Sequence, residues 1–249
     1  MSLAGWTQPG QGPDTYPVTW SPPAQAIQAR ARRAVSLLLL WGLGYFLIGH
    51  SELMRNARDV STPLDAAIPF VGWTVWIYLS GLAFIIAPVF VLRHVDAFQH
   101  AARSYALTLL GSFACFLAMP VSAVHLRDSA GAANFTGLVA WVADMLYGVD
   151  PPYNLFPSLH VSLSALAWWS MTAAYPGRRR ALAIMACLIM GSVLTTRQHL
   201  VIDVAGGLAL AWTAHAITGR RRGNPPVVSA ALCLALVTSL FGLLYWHVV

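Results

Sequence analysis

Seven apolar runs leave this chain few folds to choose from. They lie at about 34–50, 68–92, 104–124, 158–176, 181–197, 200–219 and 226–249, and each approaches the ~20 residues that cross a bilayer as a helix. Composition agrees: 57% of the residues are hydrophobic and 10% are charged, against roughly 25% charged in a soluble domain. The even spread of the runs favours one bundle. The expected fold is an all-α integral membrane protein, with a six-span core over 34–219. Residues 220–249 add a basic linker and a seventh span. Residues 1–33, rich in Pro, Gly, Gln and Thr, form a cytoplasmic tail too long and polar to be a cleavable signal.

All fifteen basic residues are arginine. A formal charge of +6 would suggest nucleic acid only if the arginines clustered on a soluble face. They sit between apolar runs instead, so topology explains them and no nucleic-acid partner is expected. With the N-terminus cytoplasmic, the inner segments hold Arg30, Arg32, Arg33, Arg93, Arg103, Arg178, Arg179, Arg180, Arg220, Arg221 and Arg222. The outer segments hold Arg55, Arg58, Arg127 and Arg197. Eleven against four is the bias that orients bacterial inner or plasma membrane proteins. The same orientation brings His160, at the start of the fourth run, and His199, at the start of the sixth, to the outer leaflet. A site built on them faces the periplasm or exterior.

Those histidines stand in two informative stretches. His199 and Asp203 are four apart at the start of an apolar run. On a helix that spacing predicts one shared face, with Cβ atoms about 5–6 Å apart, so Asp203 can accept a hydrogen bond from His199. Ionisable groups within a membrane are costly and mark functional sites. The second stretch is Asn154-Leu155-Phe156-Pro157-Ser158-Leu159-His160. The other histidines have plainer readings: His50, His215 and His247 as packed or interhelically bonded residues, His94 and His100 as solvated loop residues, His125 undecided. Asp65, Asp150 and Asn154 read as helix caps and turn residues. Cys115, Cys187 and Cys233 lie inside apolar runs and read as small core side chains. Trp73, Trp76, Trp168, Trp169 and Trp246 near span ends read as interfacial anchors. The segment 125–157 carries an apolar stretch, Phe135 to Met145, expected as a short interfacial helix over the site. No cofactor is expected, because the chain has no G-x-G-x-x-G and no Walker-type phosphate loop.

Phe156-Pro157-Ser158-Leu159-His160, followed two runs later by Gln198-His199 and Asp203, resembles the type 2 phosphatidic acid phosphatase superfamily. It is closer to the branch with Pro-Ser-Leu-His in place of Pro-Ser-Gly-His, which resembles the inositol phosphorylceramide synthases and their bacterial relatives. The resemblance extends over roughly 60–215 and takes in Ile68-Pro69-Phe70. It implies that His199 is the nucleophile that forms a phosphohistidine and that Asp203 orients it. His160 is then the general acid and base, and Ser158 contacts the phosphate at a helix N-terminus. Attack on phosphate also wants positive charge around its oxygens, for which Arg127 and Arg197 are the outer-side candidates. The chain departs from the wider superfamily in having no lysine, in Asp128 where a proline follows the first-motif arginine, and in Arg197 standing only two positions before His199.

The resemblance implies a metal-independent lipid phosphate phosphatase or phosphotransferase, with a membrane lipid phosphate as substrate and the bilayer as its setting. Two rivals remain. Two histidines and a carboxylate can hold a metal as a facial triad, although few other acids lie near that face. A transporter or proton relay could use His199 and Asp203, but such sites lie near the bilayer midplane, not at span ends. Whether water or a second alcohol resolves a phosphohistidine, the identity of the lipid and the oligomeric state stay open.

Overall fold

The computed structural model describes residues 24–130, 137–219 and 226–247. Its helices are α1 (Ala24–Gly49), α2 (Pro63–Ala67), α3 (Val75–Val91), α4 (Val95–Ala118), α5 (Val124–Ala130), α6 (Gly137–Val149), α7 (Leu159–Ala174), α8 (Arg179–Thr195), α9 (Val201–Thr218) and α10 (Pro226–His247). Among the described residues the one extended pairing is a bridge between Arg58 and Val121. The fold is the expected all-α membrane bundle. The seven long helices fall on the seven apolar runs. Five of them (α1, α3 together with the Gly72–Thr74 turn that leads into it, α4, α9 and α10) give stretches of 18 to 24 residues apolar enough to cross a bilayer, whereas α7 and α8 stop at 16 and 17 residues.

The helix α7 forms the centre and packs against α3, α4, α8 and α9. Every residue from Leu159 to Ala167 is buried, which suits a helix without a polar face. Its serines are short enough to let neighbours approach, and the Ser162 hydroxyl donates a hydrogen bond to the Ser158 carbonyl at 2.7 Å. The other faces are lined by α1 on α4 and by α10 on α9.

Alternating helix directions sort the chain into two ends. At one end the Ser158 N–H donates to the Asp203 carbonyl at 3.1 Å, joining the starts of α7 and α9. Arg58 reaches the Tyr245 carbonyl there at 2.8 Å and lies 4.8 Å over the Tyr245 and Trp246 rings. At the opposite end Arg30 donates to the Pro88 and Leu92 carbonyls, and Tyr175 donates to the Val91 carbonyl at 2.6 Å. These bonds satisfy carbonyls that the end of α3 leaves open.

The helices depart from the expected runs in instructive ways. The first begins at Ala24, ten residues ahead of its apolar run, so Arg30, Arg32 and Arg33 belong to α1. The helix on the third run, α4, begins at Val95, and the segment expected as a polar loop is its first two turns. His100 therefore does not sit solvated in a loop. Its Nε2 lies 3.1 Å from His215 Nδ1 on α9, an interhelical pairing of the kind expected for His215. His50 is exposed and its Nδ1 lies 2.9 Å from the Phe46 carbonyl within its own helix. Cys187 is exposed on α8, against the core position expected, while Cys115 and Cys233 are half-buried. The helix expected at 135–145 is α6, which packs on α3 and on the Gly72–Thr74 turn. Residues 1–23, Arg220 to Arg222 and the His247 side chain lie outside the description.

Candidate active site

The turn between α8 and α9 is folded back onto α8. The Gln198 and His199 N–H groups both donate to the Val193 carbonyl, at 3.0 and 3.1 Å. Arg197 adopts φ 57° to make the reversal, a left-handed conformation that a non-glycine residue holds only when its surroundings fix it. Its Nη1 donates to the Asp65 carbonyl at 2.9 Å. His199 thus sits in the turn, not on the helix that its spacing to Asp203 predicts. The pair forms nonetheless, because Asp203 is the third residue of α9 and its carboxylate reaches back over the helix start. Asp203 Oδ2 accepts the Leu200 N–H at 2.8 Å and lies 3.4 Å from His199 Nδ1, a long hydrogen bond. A carboxylate only accepts, so this contact keeps the proton on Nδ1 and leaves the Nε2 lone pair free.

Ser158 is the N-cap of α7, its hydroxyl accepting the Val161 N–H at 3.3 Å. The close approach of this turn to α9 requires glycine at 207, where a Cβ would stand 2.7 Å from the Ser158 carbonyl oxygen. Asp203 and Ser158 are both fully buried, and His160 and His199 nearly so. His160 stacks on Tyr78 of α3, with ring centroids 4.2 Å apart and planes 12° from parallel. Its Nε2 is buried with no hydrogen-bond partner and lies against Gly81, where a Cβ would come within 2.2 Å of it. His160 and His199 are within electrostatic reach of each other. The fold therefore gathers His160, His199, Asp203 and Ser158 at one end of the bundle.

Both candidate phosphate-binding arginines are at this end, but each already holds protein groups. Arg127, buried on α5, donates from Nη1 to the Asp150 carbonyl at 2.7 Å and from Nη2 to Asp150 Oδ2 at 3.0 Å. Its Nη2 also donates to Gln198 Oε1, and its guanidinium lies 5.3 Å over the Tyr147 ring. Tyr45 donates to the other Asp150 oxygen at 2.5 Å. Tyr147 donates to the Thr196 carbonyl at 2.7 Å. Partial burial pushes the Tyr147 phenol up to about 12, so it remains a donor across any working pH.

The residues expected as caps and turn residues make further contacts. Asp65 forms the capping box of α2 with Thr62 and also accepts the Val201 N–H at 2.7 Å, so one side chain caps α2 and α9 together. Asp150 anchors Arg127, and Asn154 donates to the Tyr45 carbonyl at 2.6 Å. His125 is exposed on α5. Sequence reasoning passed over Tyr78, Gly81 and the Gln198 side chain. The adjacency of Gln198 to His199 was a signal for the last; nothing in the residue pattern marked the other two. Among the described residues no three His, Cys, Asp or Glu side chains converge as metal ligands would.

Compared with known protein families, the chain matches the model of the PAP2 superfamily over residues 56–217. No curated protein and no solved structure matches it. The matched span is well over half of the chain and runs from the segment before α2 to the end of α9, and the chain belongs to the PAP2 superfamily. That membership supports a phosphatase- or phosphotransferase-type enzyme of the membrane in general.

Proposed function

We propose that this member of the PAP2 superfamily cleaves or transfers a lipid phosphate at the outer leaflet through a phosphohistidine on His199, without a metal ion. The observation that carries the reading is the contact of His199 Nδ1 with Asp203 Oδ2, which leaves Nε2 as the free base. In the first step Nε2 attacks phosphorus and the bond from phosphorus to the lipid alcohol breaks. His160 gives that alcohol its proton. In the second, His160 takes a proton from water or from an acceptor alcohol, whose oxygen attacks phosphorus and releases His199. Water makes the enzyme a phosphatase; an alcohol such as a polyol or ceramide makes it a phosphotransferase of the inositol phosphorylceramide synthase kind. The Ser158 hydroxyl proton and the N–H groups of Leu159 and His160 supply donors to the phosphate, since the first turn of a helix leaves N–H groups without intrahelical partners and the Ser158 cap takes that of Val161. Arg127 and Arg197 contribute positive field and hold the His199 turn, their contacts to protein making them positioning residues first.

The orientation rests on the segregation of arginines: the site end carries Arg58, Arg127 and Arg197, and the opposite end Arg30, Arg93 and Arg178 to Arg180. The test uses purified protein in detergent with a short-chain phosphatidic acid and EDTA, with and without a polyol or ceramide acceptor. Phosphate release that ignores EDTA and is lost in His160→Ala is the expected result for hydrolysis. Headgroup transfer only with acceptor would assign the transferase. Activity that disappears with the chelator and returns with a divalent ion would overturn the metal-independent reading.

The packing of His160 makes a separate prediction. Gly81→Ala forces the ring off its Tyr78 platform, and a displacement of about 1 Å at a reacting group costs on the order of 10²-fold in turnover. Ser80→Ala, one position away, is the control. Equal rates for Gly81→Ala and the wild type would remove this placement of His160 from the mechanism.

A further inference from the structure

Far from the catalytic end, α1 and α4 run parallel from the arginine-rich end of the bundle and leave a cleft of about 240 Å³ between them. Arg33 lines it from α1 and Arg103 from α4. They are the tenth and ninth residues of their helices, and each immediately precedes an apolar run. The two arginines thus occupy matching places on parallel helices, at the edge of the runs that meet lipid. Ser36, Leu37, Gln99, Ala102 and Ala106 complete the lining, and the surface they and the two arginines turn toward the cleft is almost wholly apolar. The two alanines are what opens the cleft, because a larger side chain at either would fill the space between the helices.

Charge decides the occupant. Neither Arg33 nor Arg103 has a hydrogen bond or ion pair among the described residues, in contrast to Arg30, which is bound to the end of α3. Among the described residues Asp96 is the one acid at this end, seven residues before Arg103 on α4. Two unopposed cations at the edge of the runs that meet lipid, beside an almost wholly apolar lining, match the phosphate and acyl chain of an anionic phospholipid, and basic pockets between membrane helices bind such headgroups. We infer that the cleft between α1 and α4 is a binding site for an anionic phospholipid, with Arg33 and Arg103 on its phosphate and Leu37 along its chain. This site is separate from the catalytic one and does not depend on the reaction assigned there.

The experiment uses the full chain in phosphatidylcholine bilayers carrying a minor fraction of spin-labelled phosphatidylglycerol, with spin-labelled phosphatidylcholine as the reference. The wild type should immobilise the anionic probe in preference to the neutral one. Arg33→Gln with Arg103→Gln should lower that preference by about thirtyfold, from ~1 kcal/mol per arginine converted at tenfold per ~1.4 kcal/mol. Arg179→Gln with Arg180→Gln removes two exposed charges from the same end and should change it by less than about twofold, being far from the cleft. Ala106→Leu keeps every charge, fills the cleft and should lower the preference as well. Equal losses from both arginine pairs would overturn the site in favour of a diffuse field. An undiminished preference in Ala106→Leu would overturn the cleft as its location.

Discussion

His199→Ala is expected to reduce turnover by on the order of 10⁴-fold or more, the scale on which loss of a nucleophile leaves only binding and electrostatic catalysis. The fold should survive, because the His199 turn is held by backbone bonds to Val193 and by Arg197 on Asp65. Substrate labelled in its phosphate, quenched in mid-turnover, should leave an acid-labile label on the wild type and none on the variant. Asp203→Asn should lose less, since an amide oxygen can still cap Leu200 and meet the ring. Asp203→Ala is a poorer probe because it also uncaps α9. Near-wild-type rates in His199→Ala would sink the phosphohistidine mechanism, whatever the other variants do.

Arg127→Met is expected to lower stability by roughly 3–5 kcal/mol, the cost of leaving a buried ionic partner uncompensated. For a chain of this size that moves the midpoint of thermal unfolding by roughly 10 °C. The group left behind is Asp150, which would keep only Tyr45 as a side-chain donor, and Gln198 would lose the donor on its oxygen. Asp150→Asn combined with Arg127→Met should cost less than the sum of the two, since both remove one interaction. The unfolding midpoint in detergent checks this directly. An arginine that served the substrate alone would leave the midpoint unchanged and raise KM, and that outcome would return Arg127 to the role of a phosphate clamp.

Much of the architecture could be read from residue order. The starts of α7 and α9 fall within a residue or two of their apolar runs, because hydrocarbon admits few alternatives to a helix over such stretches. The start of α4 could not be read that way. Hydropathy registers the part of a helix that meets lipid, and Val95 to Arg103 extends beyond it with Asp96, His94 and His100 in its neighbourhood. At the site, the His199–Asp203 spacing implied the contact correctly but for the wrong local reason: the carboxylate caps α9 and reaches a turn, where a shared helix face had been expected.

The sequence by itself determined that this chain is a helical membrane bundle, that His160 and His199 share an end, and that Asp203 is within reach of His199. These follow from local quantities: run length, the alternation of helix direction, and a spacing of four. Only the tertiary structure decided which donors are committed. Arg127 is 23 residues from Asp150 and 71 from Gln198, and Arg197 is 132 from Asp65. Tyr78 and Gly81 meet His160 between α3 and α7, which α4, α5 and α6 separate in the chain. Such pairings depend on which helix faces meet, and hydrophobic pattern specifies that a face is buried without specifying the side chain it is buried against.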